Sequence, residues 1–220
     1  MNAHTERRVV PGPAGPLECA IDDPPPGADR PVGLALVCHP HPLHGGTLDN
    51  KVVQTLARAF VQRGFRAVRF NFRGVGQSGG TWDRGEGEID DAMAVLGAFR
   101  TPADAADGAA LILAGFSFGA YVASQVAVRL AAPQALAGLV LVGPAVRNFA
   151  VPSVPPGTLV VHGETDDVVP LSDVLDWARP QALPVTVVPG AGHFFHGQLP
   201  LLKRLVLAGA TGLASDPHSA

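Results

Sequence analysis

At 220 residues, 47% of them hydrophobic, the chain is long enough to bury one sizeable core and short for two, so a single domain over 1–220 is expected. Its formal net charge of −3, with no run of Lys or Arg, offers no broad attraction for nucleic acid or an anionic membrane. No apolar run reaches the roughly 20 residues of a spanning helix, nothing resembles a secretory leader, and Cys19 and Cys38 are too few for a disulfide framework. A cytoplasmic protein acting on a small molecule, without nucleic acid or membrane as partner, is the expectation; its oligomeric state is left open.

The 26 glycines and 21 prolines fall between periodic segments, as turn residues do. "RRVVPGPAGPLECAID" holds two short apolar runs around a Pro/Gly turn and predicts an antiparallel hairpin. "PPPGADRP", Pro24 to Pro31, reads as a stiff connector. Six apolar runs follow: Val32 to Cys38, Arg66 to Phe72, Ala109 to Phe116, Leu136 to Gly143, Thr158 to Gly163 and Val185 to Gly190. Such near-continuous runs suit parallel strands buried on both faces.

Between the first two, Val52, Val53, Leu56, Phe60 and Val61 recur at helical spacing over Asp49 to Gly64, with Gly64 placed as a cap. Glu86 to Arg100 repeats the pattern with Ile89, Met93, Leu96 and Phe99. Alternating strands and helices predict an α/β fold with an open, doubly wound, mostly parallel sheet, and in such sheets ligands bind beyond the carboxyl ends of the strands.

In "AGFSFGAYVA", Gly115, Ser117 and Gly119 spell G-x-S-x-G between a strand and a helix running through Tyr121, Val122, Val126 and Leu130. A tight strand-to-helix turn exposes the serine hydroxyl, and the small flanking residues let the backbones pass. The bland alternative is that Ser117 only caps the helix. A serine nucleophile needs a base and a group to orient that base. Both candidates lie downstream: Asp166 in "VVHGETDDVVP", just after a strand, and His193 on the Gly-rich loop of "VVPGAGHFFHG".

The order Ser117, Asp166, His193 is the one used on α/β-hydrolase folds. From about Val32 to Leu207 the sequence resembles small bacterial α/β hydrolases of the "CHPHP" loop type, similar to dienelactone hydrolases and carboxylesterases. The matching segments are His39 to Gly46, "NFRGVGQSGG" (Asn71 to Gly80), the turn at Ser117, "HGETDDVVP" and "GAGHFF". The resemblance implies an α/β-hydrolase fold over about 32–207, with residues 213–220 a polar tail, and esterase-like or thioesterase-like acyl transfer that requires no metal or organic cofactor.

It also favours Asp166 over Asp167 as the acid, because the superfamily usually presents H-G-x-x-D. No Asp or Glu follows the preceding strand in "GPAVRNFAV", so the acid position used by some relatives is empty. His162, ending a buried strand, reads as a hydrogen-bonded structural residue. His196 is open between a pocket residue and a helix cap, and His4 and His218 in polar termini are assigned no role.

An oxyanion would need two N–H donors, one from Phe118 after the nucleophile and one from the loop after an earlier strand. "CHPHPLHGG" is that loop by position. Pro40 and Pro42 have no N–H, leaving His39, His41, Leu43 or a later residue; superposition on the superfamily pattern favours His41. His39, His41 and His44 also have the spacing of a metal loop of the H-x-H-x-D-H kind, with Leu43 where that loop has its Asp. A metal-dependent hydrolase built on these histidines is therefore a competing reading. A non-catalytic ligand-binding protein on the same fold is another. Gly74, Gly76 and Gly79 spell G-x-G-x-x-G, but "GTWDRGEG" follows rather than an immediate helix, and Asp90 and Asp91 fall inside the next helix, so a surface turn is expected rather than a dinucleotide site.

Only fourteen residues, Pro144 to Gly157, separate two strands where larger relatives insert a cap. They are too few and too rich in Pro for a lid, so an open site without a cap domain is predicted. Leu43, Trp82 and Phe194 are the first candidates for its lining, with Phe118, Phe149 and Phe195 behind them.

Overall fold

The computed structural model describes residues 5–25, 31–101, 103–104, 107–130 and 136–209. Most of the Pro24 to Pro31 connector, His4, His218 and the 213–220 tail lie outside them. The predicted hairpin is β1 (Glu6–Gly12) and β2 (Gly15–Asp22), in antiparallel register from Glu6 opposite Ile21 to Gly12 opposite Gly15. It joins the main sheet, because β2 also pairs antiparallel with β4 (Arg66–Phe70). The remaining strands are parallel: β3 (Gly33–Cys38), β5 (Ala110–Phe116), β6 (Leu136–Val142), β7 (Leu159–Gly163) and β8 (Val185–Val188). The sheet order is β1-β2-β4-β3-β5-β6-β7-β8. This is an α/β-hydrolase fold, an eight-stranded mostly parallel sheet with an antiparallel hairpin at one edge.

The apolar strand runs face two cores because alternate side chains point to opposite faces. Leu34, Leu36, Leu111, Leu113, Leu139, Leu141 and Val160 meet Ile89, Ala92 and Val95 of α2 (Glu86–Phe99), Tyr121, Val122 and Val126 of α3 (Phe118–Arg129), and Val174 of α4 (Leu171–Ala178). Ala35, Val37, Ile112, Ala114, Val140, Val142 and Val161 meet Val52, Val53, Leu56 and Phe60 of α1 (Lys51–Gln62), with Leu202 and Val206 of α5 (Leu199–Gly209). Most of these side chains are fully buried; each Val, Leu, Ile or Phe among them contributes about 1.5–3 kcal/mol of transfer free energy.

Local signals set the helix ends. The Asn50 carboxamide accepts from the Val52 and Val53 N–H groups, and Gly64, at φ 85°, closes α1 by donating to the Val61 carbonyl. In α2 the Glu88 carboxylate caps the start by accepting from Asp83 and Gly85 N–H. The buried face of α2 is turned from the one predicted: Ala92 and Val95 are buried, whereas Met93 and Phe99 are only packed against the core edge. Among the described residues no helix is long and apolar enough to cross a membrane.

The chain leaves β3 toward β4 on one side and returns to β5 on the other. The loops after β3 and β5 therefore meet at the carboxyl ends of adjacent strands, the switch point at which such sheets bind ligands. Pro144 to Gly157 forms no helix or strand above it.

Candidate active site

Ser117 sits between β5 and α3 at φ 57° and ψ −116°, a conformation costing a non-glycine residue about 1–3 kcal/mol. Neighbouring backbone holds it there: its N–H donates to the Val142 carbonyl at 2.9 Å, and its own carbonyl accepts from Ala120 at 3.0 Å. The flanking glycines are sterically required. A Cβ on Gly115 would collide with the Gly119 carbonyl, and one on Gly119 with the Cys38 carbonyl. The Ser117 side chain makes no helix-cap hydrogen bond, which removes the capping explanation of the motif.

The Ser117 hydroxyl lies 3.0 Å from His193 Nε2. His193 Nδ1 lies 2.6 Å from Asp166 Oδ2, so the proton on Nδ1 is donated to the carboxylate and Nε2 is left to accept. Asp166 Oδ1 accepts from Val168 N–H at 2.9 Å and Val169 N–H at 2.7 Å. Burial works against a charged Asp166, yet the hydrogen bonds from His193 and Val169 and the facing imidazoles outweigh it and hold its carboxyl below the usual carboxylate range. Asp167 points to solvent. Gly163 gives the histidine loop its approach, because a Cβ there would strike the Ala191 carbonyl. The His193 ring packs on Phe116 and, edge-on, on Phe194, at 4.9 and 5.1 Å between centroids.

The "CHPHPLHGG" loop resolves its own histidines. His39 is fully buried; Nδ1 lies 2.6 Å from the Pro40 carbonyl and so carries the proton, while Nε2 accepts from the Phe72 N–H at 3.1 Å. Both ring nitrogens are consumed, so His39 has no lone pair for a metal, and the three-histidine metal reading fails on it. Among the described residues no three His, Cys, Asp or Glu side chains converge as a metal-binding set. His41 Nδ1 accepts from the Leu43 N–H at 3.2 Å, and the His41 carbonyl accepts from His44 and Gly46 N–H. Those three N–H groups are thereby removed from the predicted oxyanion donors. The backbone N–H groups of His41 and Phe118 donate to no protein acceptor among the described residues.

Burial also separates the predicted lining residues. Leu43 and Phe194 are exposed, at 65% and 44%, and Trp82 is half-buried against the rings of His41 and Phe118. Phe149 stacks on Tyr121 and reaches His41. Phe118 and Phe195 are completely buried and line nothing: Phe118 underlies Trp82, and Phe195 packs in the α1–α5 core. His196 lies 5.8 Å from the Phe194 ring.

The glycine-rich stretch after β4 is a surface turn, since the next helix does not open until Glu86. Sequence reading missed what pins it. Arg73 donates through its backbone N–H and Nε to Asp91 Oδ2 and through an Nη to Oδ1, a buried bidentate pair that holds the segment carrying Trp82. The one available signal was a charged residue on the inward face of α2.

Neutral His39 also makes acid stability testable. Burial depresses its pKa from 6.5 to about 3, so the unfolded chain binds the extra proton first as pH falls. Its stabilising contribution is complete above pH 6.5 and drains away between 6.5 and 3, at about 1.4 kcal/mol per unit. Urea unfolding should show wild type losing about 2 kcal/mol more than His39→Asn between pH 6.5 and 5. Equal losses would show that His39 does not enter the fold uncharged.

A serine held at a strained strand-to-helix turn of this sheet, with its hydroxyl on an imidazole, defines a serine hydrolase of the α/β class. Residues 41–174 match the model of the family described as serine aminopeptidase, S33, and the chain belongs to that family. XC6422 from Xanthomonas campestris, a crystal structure described as an α/β serine hydrolase without lid, has a TM-score of 0.84 to it at 35% identity, covering 99% of each chain. An α/β serine hydrolase homologue from Coxiella burnetii has a TM-score of 0.79 at 41% identity, covering 92% of this chain and 96% of that one. Protein RP471 of Rickettsia prowazekii is 34% identical over 176 residues, 74% of this chain and 71% of its own.

Proposed function

We propose that the protein hydrolyses carboxylic esters or thioesters of small molecules through an acyl-enzyme, as the "CHPHP"-type resemblance implies. In this reading His193 takes the Ser117 proton as the hydroxyl attacks the carbonyl, returns it to the leaving group, and then activates the water that releases the acid. Asp166 keeps His193 in the reactive tautomer and stabilises its cation. The N–H groups of Phe118 and His41 receive the oxyanion. The route needs no metal or organic cofactor. The observation that carries the reading is the relay of 3.0 and 2.6 Å from Ser117 through His193 to Asp166.

Leu43, Trp82 and Phe194 bound the acyl group in this proposal. The exposed Leu43 and Phe194 offer apolar surface beside His41 and His193, better suited to a neutral acyl chain than to a charged amine. A fluorophosphonate probe tests the assignment: a single adduct on the Ser117 peptide, with parallel loss of p-nitrophenyl ester hydrolysis, is expected, and full activity after labelling elsewhere would refute it. Trp82→Ala should lower kcat/KM for p-nitrophenyl butyrate about fivefold through KM, equivalent to about 1 kcal/mol of aromatic contact. An unchanged KM would remove Trp82 from the acyl site.

A further inference from the structure

The relay described above leaves one buried imidazole unused. His162, in β7 four residues before Asp166, is fully buried, as is the Asp166 side chain. Its Nε2 lies 2.9 Å from the Val169 carbonyl, which can only accept, so Nε2 carries the proton. The Nε2 atom also lies 3.4 Å from Asp166 Oδ2, the oxygen that receives His193. Nδ1 is left as a buried lone pair without a partner.

An apolar side chain would fill this place without stranding a nitrogen, and stranded buried polar atoms are costly. What His162 adds is a donor at one position. Its N–H fixes the carbonyl of Val169, whose own N–H holds Asp166 Oδ1, so the residue that anchors the acid is itself tied in place. The ring edge also stands beside the shared oxygen and acts on its charge through space, without a hydrogen bond to it. Burial keeps His162 uncharged, outweighing the pull of Val169 and Asp166, so its donor persists across the working pH range.

We propose that His162 is a positioning residue that holds the Asp166 carboxylate and divides its charge between two imidazoles. The inference rests on the catalytic reading of Ser117, His193 and Asp166.

Other charged groups nearby leave this role to His162. Glu164 is exposed and accepts the Gly190 N–H, and Asp167 is exposed. β6 and β8, which flank β7, contain no titratable residue. Of the helices on that face, α4 carries Asp173, bonded to Ser172, and Asp176, bonded to Arg179. In α3, Arg129 pairs with Asp90 and Tyr121 stacks on Phe149, and in α2 the buried Glu88 and Asp91 are held by the Asp83 and Gly85 N–H groups and by Arg73.

The test is the pH profile of p-nitrophenyl ester hydrolysis for wild type, His162→Leu and His162→Gln, with Ser117→Ala alongside. Without the donor, more of the carboxylate charge acts on His193, and the acid limb of kcat/KM moves to higher pH by about half a unit. The Leu variant should show that shift with a severalfold fall in kcat. The Gln variant, whose amide reaches the Nε2 position, should restore the limb. Coincident limbs in all three, or Gln behaving as Leu, would overturn the inference. Nitrogen-15 spectra of the wild-type histidines keep it testable even if Leu fails to fold: neutral His162 with its proton on Nε2 from pH 5.5 to 8 is required, and the other tautomer or a cation excludes it. Full activity in Ser117→Ala would instead remove the catalytic reading, and the inference with it.

Discussion

Replacing Ser117 with Ala should lower turnover of p-nitrophenyl esters by about 10³-fold or more, approaching the roughly 10⁶-fold loss seen when the nucleophile of a coupled triad is removed. The reason lies in the attack itself: the oxygen 3.0 Å from His193 Nε2 is the atom that would bond to the acyl carbon, and alanine supplies none. The residual rate would come from the oxyanion donors and substrate binding. Stability should barely change. Alanine inherits the same φ of 57°, and the backbone bonds to Val142 and Ala120 do not involve the side chain. Coincident thermal unfolding of variant and wild type would therefore assign the lost activity to chemistry. A variant retaining more than about a tenth of wild-type turnover could not be reconciled with a covalent serine route.

Asp166→Asn should cost about 10⁴-fold in kcat with little change in KM. The amide oxygen can still accept from Val168 and Val169, which Oδ1 does in the native loop, so the loop is kept. The amide nitrogen then faces His193 Nδ1 as a donor. His193 must turn to the tautomer with its proton on Nε2, and that nitrogen can no longer take the Ser117 proton. Asp167→Asn, altering an exposed side chain one residue away, should leave kcat within about twofold, as surface substitutions usually do. If the two variants lost activity equally, the acid would have been assigned to the wrong carboxylate. Steady-state kinetics on the pair decides it.

The contrast between adjacent aspartates shows where sequence reading stops. Features set within a few residues were legible. The strand runs are nearly continuous because a central parallel sheet is covered on both faces, and that apolar pattern is local. Gly64 and Asn50 mark helix ends through their own backbone and side-chain geometry. The turn at Ser117 was readable because Gly115 and Gly119 are demanded by contacts within that same turn and with the β3 end beside it. The absence of an inserted cap followed from a count of fourteen residues between two strands.

Whatever depends on atoms far apart in the chain needed the folded arrangement. Ser117 and His193 stand 76 residues apart and His193 and Asp166 27, so sequence could nominate them while their distances follow from how β5, β7 and β8 are ordered in the sheet. Three histidines at metal-like spacing became distinct only when Phe72, brought by β4, donated to His39. Phe118 and Phe195 looked like lining residues until packing buried them, because an aromatic side chain reads alike in a core and a pocket. Arg73 and Asp91 pair through a loop and a helix face, and His162 meets Asp166 across a turn whose closure no periodicity records. Hydrophobic pattern is carried by neighbours along the chain, whereas polar partners are chosen in space, each by whichever donor or acceptor the fold brings within about 3 Å.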